Sequence, residues 1–99
     1  MTRDNELVDY KGSELTLAQV IKAHRECEGW TLEEAAQKLG MSRQALHQYE
    51  SGAGLPSIEQ TIRLANGLGA MPDMWLIYRI EAELRNQGMD YKVILKRRA

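Results

Sequence analysis

The sequence contains a single cysteine and two histidines among its 99 residues. Cys27 has no partner for an intramolecular disulfide, which is typical of a protein from a reducing compartment. The two histidines are far apart in sequence, so no zinc-binding spacing arises. No nucleophile, base and orienting group can be assembled with any specificity either. We therefore expect no metal, no cofactor and no enzymatic activity.

Long apolar runs and an excess of one charge are also missing. The longest apolar run is too short to cross a bilayer, and no charged-then-apolar signal segment opens the chain, so we expect a soluble protein without membrane association. With 13 basic and 14 acidic residues the net charge is −1. Binding to nucleic acid would therefore depend on a few individually positioned side chains rather than on a general electrostatic attraction. The C-terminal end is nevertheless locally basic, with Lys96, Arg97 and Arg98 consecutive.

What the sequence does contain is a 43% share of hydrophobic residues, which is enough for one small globular domain. Capping signals and apolar periodicity predict five helices in the middle of the chain. Their start signals are Thr16 with Gln19, Thr31 with Glu34, Ser42, Ser57 with Gln60, and Pro72 with Asp73. The first three are predicted to end near Glu28, at Gly40 and at the loop that begins with Ser51, and the fifth is predicted to end near Gln87. The inward face of the fourth helix is predicted to consist of Ile58, Ile62, Ala65 and Leu68.

The two ends of the chain show a different pattern. Tyr91, Val93 and Leu95 alternate with Lys92, Ile94 and Lys96, which predicts a short strand. Residues 7–10 give a weaker strand signal. We therefore divide the chain into an N-terminal extension (residues 1–15), a core (residues 16–69) and a C-terminal part that holds the fifth helix and a basic tail (residues 70–99).

Residues 31–52 place two short capped helices on either side of a turn at Gly40, where glycine avoids the Cβ penalty of a bend. Leu46 and Tyr49 of the second helix project toward the core. Its opposite face carries four polar side chains, Arg43, Gln44, His47 and Gln48. Arginine can form paired hydrogen bonds with guanine and glutamine with adenine, so this face suits base edges in the major groove of DNA. The alternative interpretation is the solvated polar face of an amphipathic helix.

The segment Thr31-Leu-Glu-Glu-Ala-Ala-Gln-Lys-Leu-Gly-Met-Ser-Arg-Gln-Ala-Leu-His-Gln-Tyr-Glu-Ser-Gly52 resembles the helix-turn-helix of the Cro/phage-repressor (XRE) family. The likeness extends over residues 17–69, about half of the chain. It implies an all-α, five-helix repressor-like domain, here with short terminal extensions that could form β-strands. It also implies a DNA-binding transcriptional regulator, usually dimeric, in the cytoplasm of a prokaryote or in a phage, and nucleoid-associated when bound.

The resemblance also implies roles for individual residues. Base contacts fall to Arg43, Gln44, His47 and Gln48, and phosphate contacts to Thr31, Ser42 and Ser51. An ion pair between Arg25 and Glu50 would lock the first helix to the end of the third. Leu32 departs from the family, because many members carry a phosphate-binding glutamine there. The loop at residues 53–55 also lacks the usual Lys or Arg, so the electrostatic share of binding is reduced.

The fifth helix is apolar over more than one face. Trp75 and Tyr78 are predicted to form a dimer contact. The alternative is that both apolar faces of this helix pack into the core of the single chain. Val93 and Leu95 of the predicted C-terminal strand offer a second dimer contact. Arg97 and Arg98 either reach phosphate or remain solvated.

Two functions fit this sequence. The first is a homodimeric regulator, a repressor, that reads a palindromic operator in double-stranded DNA. The second is a HigA-like antitoxin that binds and neutralises a small RNase toxin and represses its own operon, because those antitoxins share this helix-turn-helix. A gene for a small basic ribonuclease beside this one would favour the second function.

Overall fold

A computed structural model describes residues 15–98 of the chain. It contains five α-helices, α1 (Leu17–Cys27), α2 (Leu32–Leu39), α3 (Arg43–Ser51), α4 (Ile58–Gly67) and α5 (Pro72–Asn86). No strand occurs within this part of the chain, so the predicted all-α fold class is confirmed. In the same range no helix is long and apolar enough to cross a membrane.

Side-chain caps fix the starts of four helices where the sequence predicts them. The hydroxyls of Thr16 and Thr31 each accept a hydrogen bond from the backbone N–H three residues later, and the side chain at that position accepts one in return. Ser42 and Ser57 cap α3 and α4 in one direction only. Each cap satisfies an N–H group that the helix itself leaves without a partner.

The turn between α2 and α3 depends on Gly40. Its backbone is left-handed, with φ 70° and ψ 36°, a conformation that glycine adopts without a Cβ penalty. The next residue, Met41, donates its N–H to the carbonyl of Ala36 at 3.0 Å. The chain therefore reverses within three residues and lays α3 across α2.

The core lies where all five helices meet. Its buried apolar side chains are Leu17, Val20, Ile21, Ala35, Ala36, Leu46, Leu64, Ala65, Leu68 and Trp75. The alanines of α2 are small, which allows the neighbouring helices to approach it closely.

The inward face of α4 is not quite the predicted one. Ile58 is half exposed and Ile62 only partly buried, whereas Thr61 and Leu64 are fully buried. Thr61 can occupy the core because its hydroxyl donates to the carbonyl of Ser57 at 2.8 Å, so no polar group is left unsatisfied. Ile58 lies in the first turn, outside the buried face.

Trp75 belongs to the core of the single chain, with 2% of its surface exposed. Its ring meets His24 of α1 edge to face, with 5.3 Å between the centroids and 76° between the planes. This placement corrects the prediction that Trp75 is a dimer contact, because the first turn of α5 packs against α1 and leaves the indole inaccessible to a second chain. Tyr78, one turn further along, is partly buried against the same core.

The predicted C-terminal strand is wrong for the chain that the structure describes. Residues 89–98 have no regular secondary structure and run back along α5. The N–H of Val93 donates to Glu81 Oε2 at 2.9 Å, and Arg97 Nη2 lies 3.6 Å from Asp73 Oδ2. A strand requires a neighbouring strand as its hydrogen-bonding partner, and α5 supplies side chains instead. Val93 is partly buried, but Leu95 is exposed. The weaker strand prediction at residues 7–10 lies outside the described residues.

Candidate nucleic-acid interface

One face of α3 carries the four predicted base-contacting side chains. Arg43, Gln44, His47 and Gln48 are all exposed, and Leu46 on the opposite side is fully buried. The two pairs at i and i+4 therefore project together from a helix held by its apolar side. Arg43 forms no ion pair with any residue in the range 15–98, so its guanidinium is available to an external acceptor. Contact with DNA bases remains a prediction for all four.

The far end of α3 is joined to α1 by Arg25 and Glu50. Arg25 Nε donates to Glu50 Oε2 at 2.7 Å and Nη2 donates to Oε1 at 3.0 Å. Arg25 Nη1 donates to the carbonyl of Trp30 at 2.7 Å, so the same guanidinium also holds the segment before α2. Paired bonds of this kind fix geometry as well as charge. The orientation of the polar face is therefore set by a directional contact as well as by apolar packing.

The surroundings of Arg25 keep its guanidinium charged. The side chains of Arg25 and Glu50 are 11% and 5% exposed. The hydrogen bonds to Glu50 raise the pKa of the Arg25 guanidinium above its ordinary value, although burial acts in the opposite direction. Because the pKa of Arg25 is raised on folding, this stabilisation is fully present below the ordinary pKa of arginine and is lost only as the pH rises through the still higher folded-state pKa. The arginine therefore does not titrate under working conditions.

Thr31 and Ser42, two of the predicted phosphate contacts, are the N-caps of α2 and α3. Their hydroxyl oxygens accept from Glu34 N and Ala45 N, each at 3.0 Å, and both residues are exposed. Accepting a bond leaves the hydroxyl proton free to be donated. Each can therefore cap its helix and donate to an external oxygen at the same time.

Ser51, the third predicted phosphate contact, is committed to the loop after α3. Its hydroxyl donates to the carbonyl of Gln48 at 3.2 Å and accepts from Ala53 N at 3.3 Å. Gly54 N donates to the same carbonyl at 3.1 Å. The loop therefore folds back onto the last of the predicted base-contacting residues, and the Ser51 hydroxyl proton has an internal acceptor.

Leu32 has a structural role in place of the phosphate contact that it lacks. It is the first residue of α2 and packs, partly buried, against the core. An apolar side chain at this position adds to the burial of α2 but offers no hydrogen-bond donor. The hydrogen-bond donors for phosphate consequently have to come from other residues.

An open cleft beside the end of α3 was not predicted from the sequence. It has a volume of about 400 Å³ and lies between the start of α1, the loop at residues 51–56 and the end of α5. Arg85 and Asn86 line it from α5. Nothing local in the sequence marks these two residues, because only the packing of α5 brings them close to α3.

No group of three or more His, Cys, Asp or Glu side chains that could hold a metal ion occurs within residues 15–98. Comparison with curated proteins gave no match, and comparison with solved structures gave none either. A family model described as a helix-turn-helix domain matches residues 16–75, which is more than half of the chain and includes α1 to α4 and the predicted base- and phosphate-contacting residues. The chain belongs to this helix-turn-helix family of DNA-binding domains.

Proposed function

We propose that the protein is a sequence-specific transcriptional regulator of the Cro/phage-repressor type, which represses by binding a palindromic operator in double-stranded DNA as a homodimer. The observation that carries this proposal is the exposed polar face of α3, held in place by the Arg25–Glu50 pair. A helix presented in this way fits the width of the major groove.

The order of residues on α3 supports base reading from its first turns. Arg43 and Gln44 are the first two residues of the helix, and the N-terminal residues of a recognition helix are the ones that approach base edges. The guanidinium of Arg43 matches the O6 and N7 acceptors of guanine, and the amide of Gln44 matches adenine. His47 and Gln48 extend the same face by one turn. Thr31 and Ser42 would donate to phosphates on either side.

A dimer is part of the proposal because a single domain offers few charges. The net charge of −1 provides no general attraction to DNA, so two recognition helices about 34 Å apart would supply the missing affinity. Exposed apolar side chains along α5 and the tail offer a surface for the second copy. These are Met71, Met74, Tyr91, Ile94 and Leu95, beside the partly buried Tyr78 and Val93.

We further propose that the protein has no enzymatic activity and takes no cofactor, and that it acts in the cytoplasm on the nucleoid or on phage DNA. Neither the described residues nor the comparisons favour the antitoxin hypothesis over regulation alone. The two hypotheses share the DNA-binding face and differ only in the presence of a toxin partner.

The test is a selection of bound DNA from a random pool, carried out with the natural chain and with Arg43→Ala and Gln44→Ala. We expect the natural chain to enrich a near-palindrome. Each variant should lose about 1–3 kcal/mol of discrimination and relax one position in each half-site. Lys22→Ala, an exposed residue of α1, is the control and should leave the selected sequence unchanged. If the natural chain enriches no sequence, the proposed function is wrong.

A further inference from the structure

The cleft beside α3 adjoins the predicted base-reading face through the loop at residues 51–56. Gly54, which lines the cleft, packs directly on Gln48, since the Cβ position of the glycine lies 3.5 Å from Gln48 Cβ. Gly54 N also donates to the carbonyl of Gln48. One wall of the cleft is therefore the loop that supports the last residue of the reading face.

The charge in this cleft is positive. Arg85 lines it and is exposed, and its guanidinium has no ion pair with any residue that the structure describes. The carboxylate of Glu50 also lines the cleft, but Arg25 neutralises it. By contrast Arg79, on the same helix, is bonded to Pro56 O and Glu83. Of these arginines on α5, Arg85 is thus the one left available to an external anion.

We propose that this cleft receives the DNA backbone and that Arg85 binds a phosphate there, as the cation that the loop at residues 53–55 lacks. The inference rests on the proposed DNA-binding function. It extends the interface from the helix-turn-helix to the end of α5, so that α5 takes part in binding as well as in packing. Arg85 would position the domain on the duplex without reading sequence, because phosphates carry no base identity.

DNA is the occupant that the surroundings favour. The cleft lies beside Gln48 at the end of the predicted reading face, and a helix bound in the major groove has the sugar–phosphate chains on either side of it. The guanidinium fork matches phosphate oxygens. The uncharged polar groups around Arg85, Asn86 and Thr16 among them, line the same cleft and suit a hydrated anion.

The test measures binding of the selected operator as a function of salt, for the natural chain and for Arg85→Gln, Arg85→Lys and Arg63→Gln. Arg63 is exposed on α4, lies outside the cleft and pairs with Glu59, so its substitution removes the same charge elsewhere. For Arg85→Gln we expect the slope of log K against log salt to become shallower by about 0.9 for each bound chain. When salt is raised from about 50 mM to about 200 mM, the loss of affinity of Arg85→Gln should therefore be smaller than that of the natural chain by a factor of roughly 3.5 for each bound chain.

Arg85→Lys should keep the natural slope, and Arg63→Gln should change it little. The sequence selected by Arg85→Gln should be that of the natural chain, because only a phosphate contact is lost. If the natural chain binds its operator and Arg85→Gln keeps the full salt slope, this inference is wrong and the proposed function stands. If the natural chain binds no DNA, both are wrong.

Discussion

Arg25 and Glu50 are 25 positions apart in the sequence and share two hydrogen bonds, at 2.7 and 3.0 Å, between α1 and the end of α3. Both side chains are largely removed from water. Losing one partner would leave the other charge buried and uncompensated, whereas replacing both with apolar groups removes the desolvation cost of both. Removing one partner is therefore expected to destabilise the fold more than replacing both with apolar residues.

This relationship gives the first prediction. Arg25→Ala should lower the free energy of unfolding by about 3 kcal/mol or more, measured by urea denaturation. The double variant Arg25→Met with Glu50→Leu should recover much of that loss. Operator binding by the double variant should still be weaker than in the natural chain, since the orientation of α3 is no longer fixed by a directional contact. Equal stability of Arg25→Ala and the natural chain would contradict the prediction.

The second prediction concerns the turn between α2 and α3. Gly40→Ala should cost about 1 kcal/mol, because alanine is strained at a positive φ. A Cβ at Gly40 would meet nothing within 4 Å, so the cost is conformational rather than steric. Gly54→Ala is the matched control. Its Cβ would make only ordinary contacts of 3.5–3.8 Å, and the change in stability should stay within about 0.5 kcal/mol. Similar losses in both variants would argue against a left-handed Gly40.

The third prediction tests the position of Trp75. Trp75→Ala should destabilise the fold by about 3–5 kcal/mol, because it removes a buried aromatic side chain and its edge-to-face contact with His24. Met71, four residues earlier, is 67% exposed, and Met71→Ala should change the stability of the monomer by less than about 0.5 kcal/mol. Thermal unfolding of dilute samples measures both. A loss of less than about 1 kcal/mol for Trp75→Ala in the monomer would contradict the burial of Trp75 and favour its role as a dimer contact.

The fourth prediction concerns the tail. A chain ending at Gly88 should remain folded, since no residue beyond position 88 belongs to the buried core. It should also shift from dimer to monomer in light scattering at matched concentration, because the exposed apolar side chains of the tail are gone. The full chain with Arg97→Ala, which breaks only the pair with Asp73, should remain largely dimeric. A truncated chain that stayed fully dimeric would place the dimer contact elsewhere.

The features that were predictable from the sequence depend on contacts between residues that are only a few positions apart in the chain. A capping residue meets its N–H three positions later, as Thr31 and Ser42 do, and a glycine at a helix end identifies its own turn. The pattern along α4 misleads, because Thr61 counts as polar in a periodicity although its hydroxyl is satisfied inside its own helix. Ile58 counts as apolar and is exposed.

The features that could not be predicted depend on tertiary contacts. Alternation around Val93 is typical of a strand, but the five helices offer no strand for it to pair with, so the segment lies along α5. Arg85 has no neighbour in sequence that connects it with α3. Its position beside the loop at residues 51–56 follows only from the packing of α5.

The bond from Val93 to Glu81 gives the protein an internal reporter of where its tail lies. The amide proton of Val93 is held by a carboxylate oxygen at 2.9 Å, and its exchange with solvent is slowed only while that contact exists. When the tail leaves α5, for a second copy or for another partner, this proton should exchange freely while the amides of the core remain protected. Hydrogen exchange at the Val93 amide, followed by NMR, can therefore distinguish release of the tail from loosening of the whole domain.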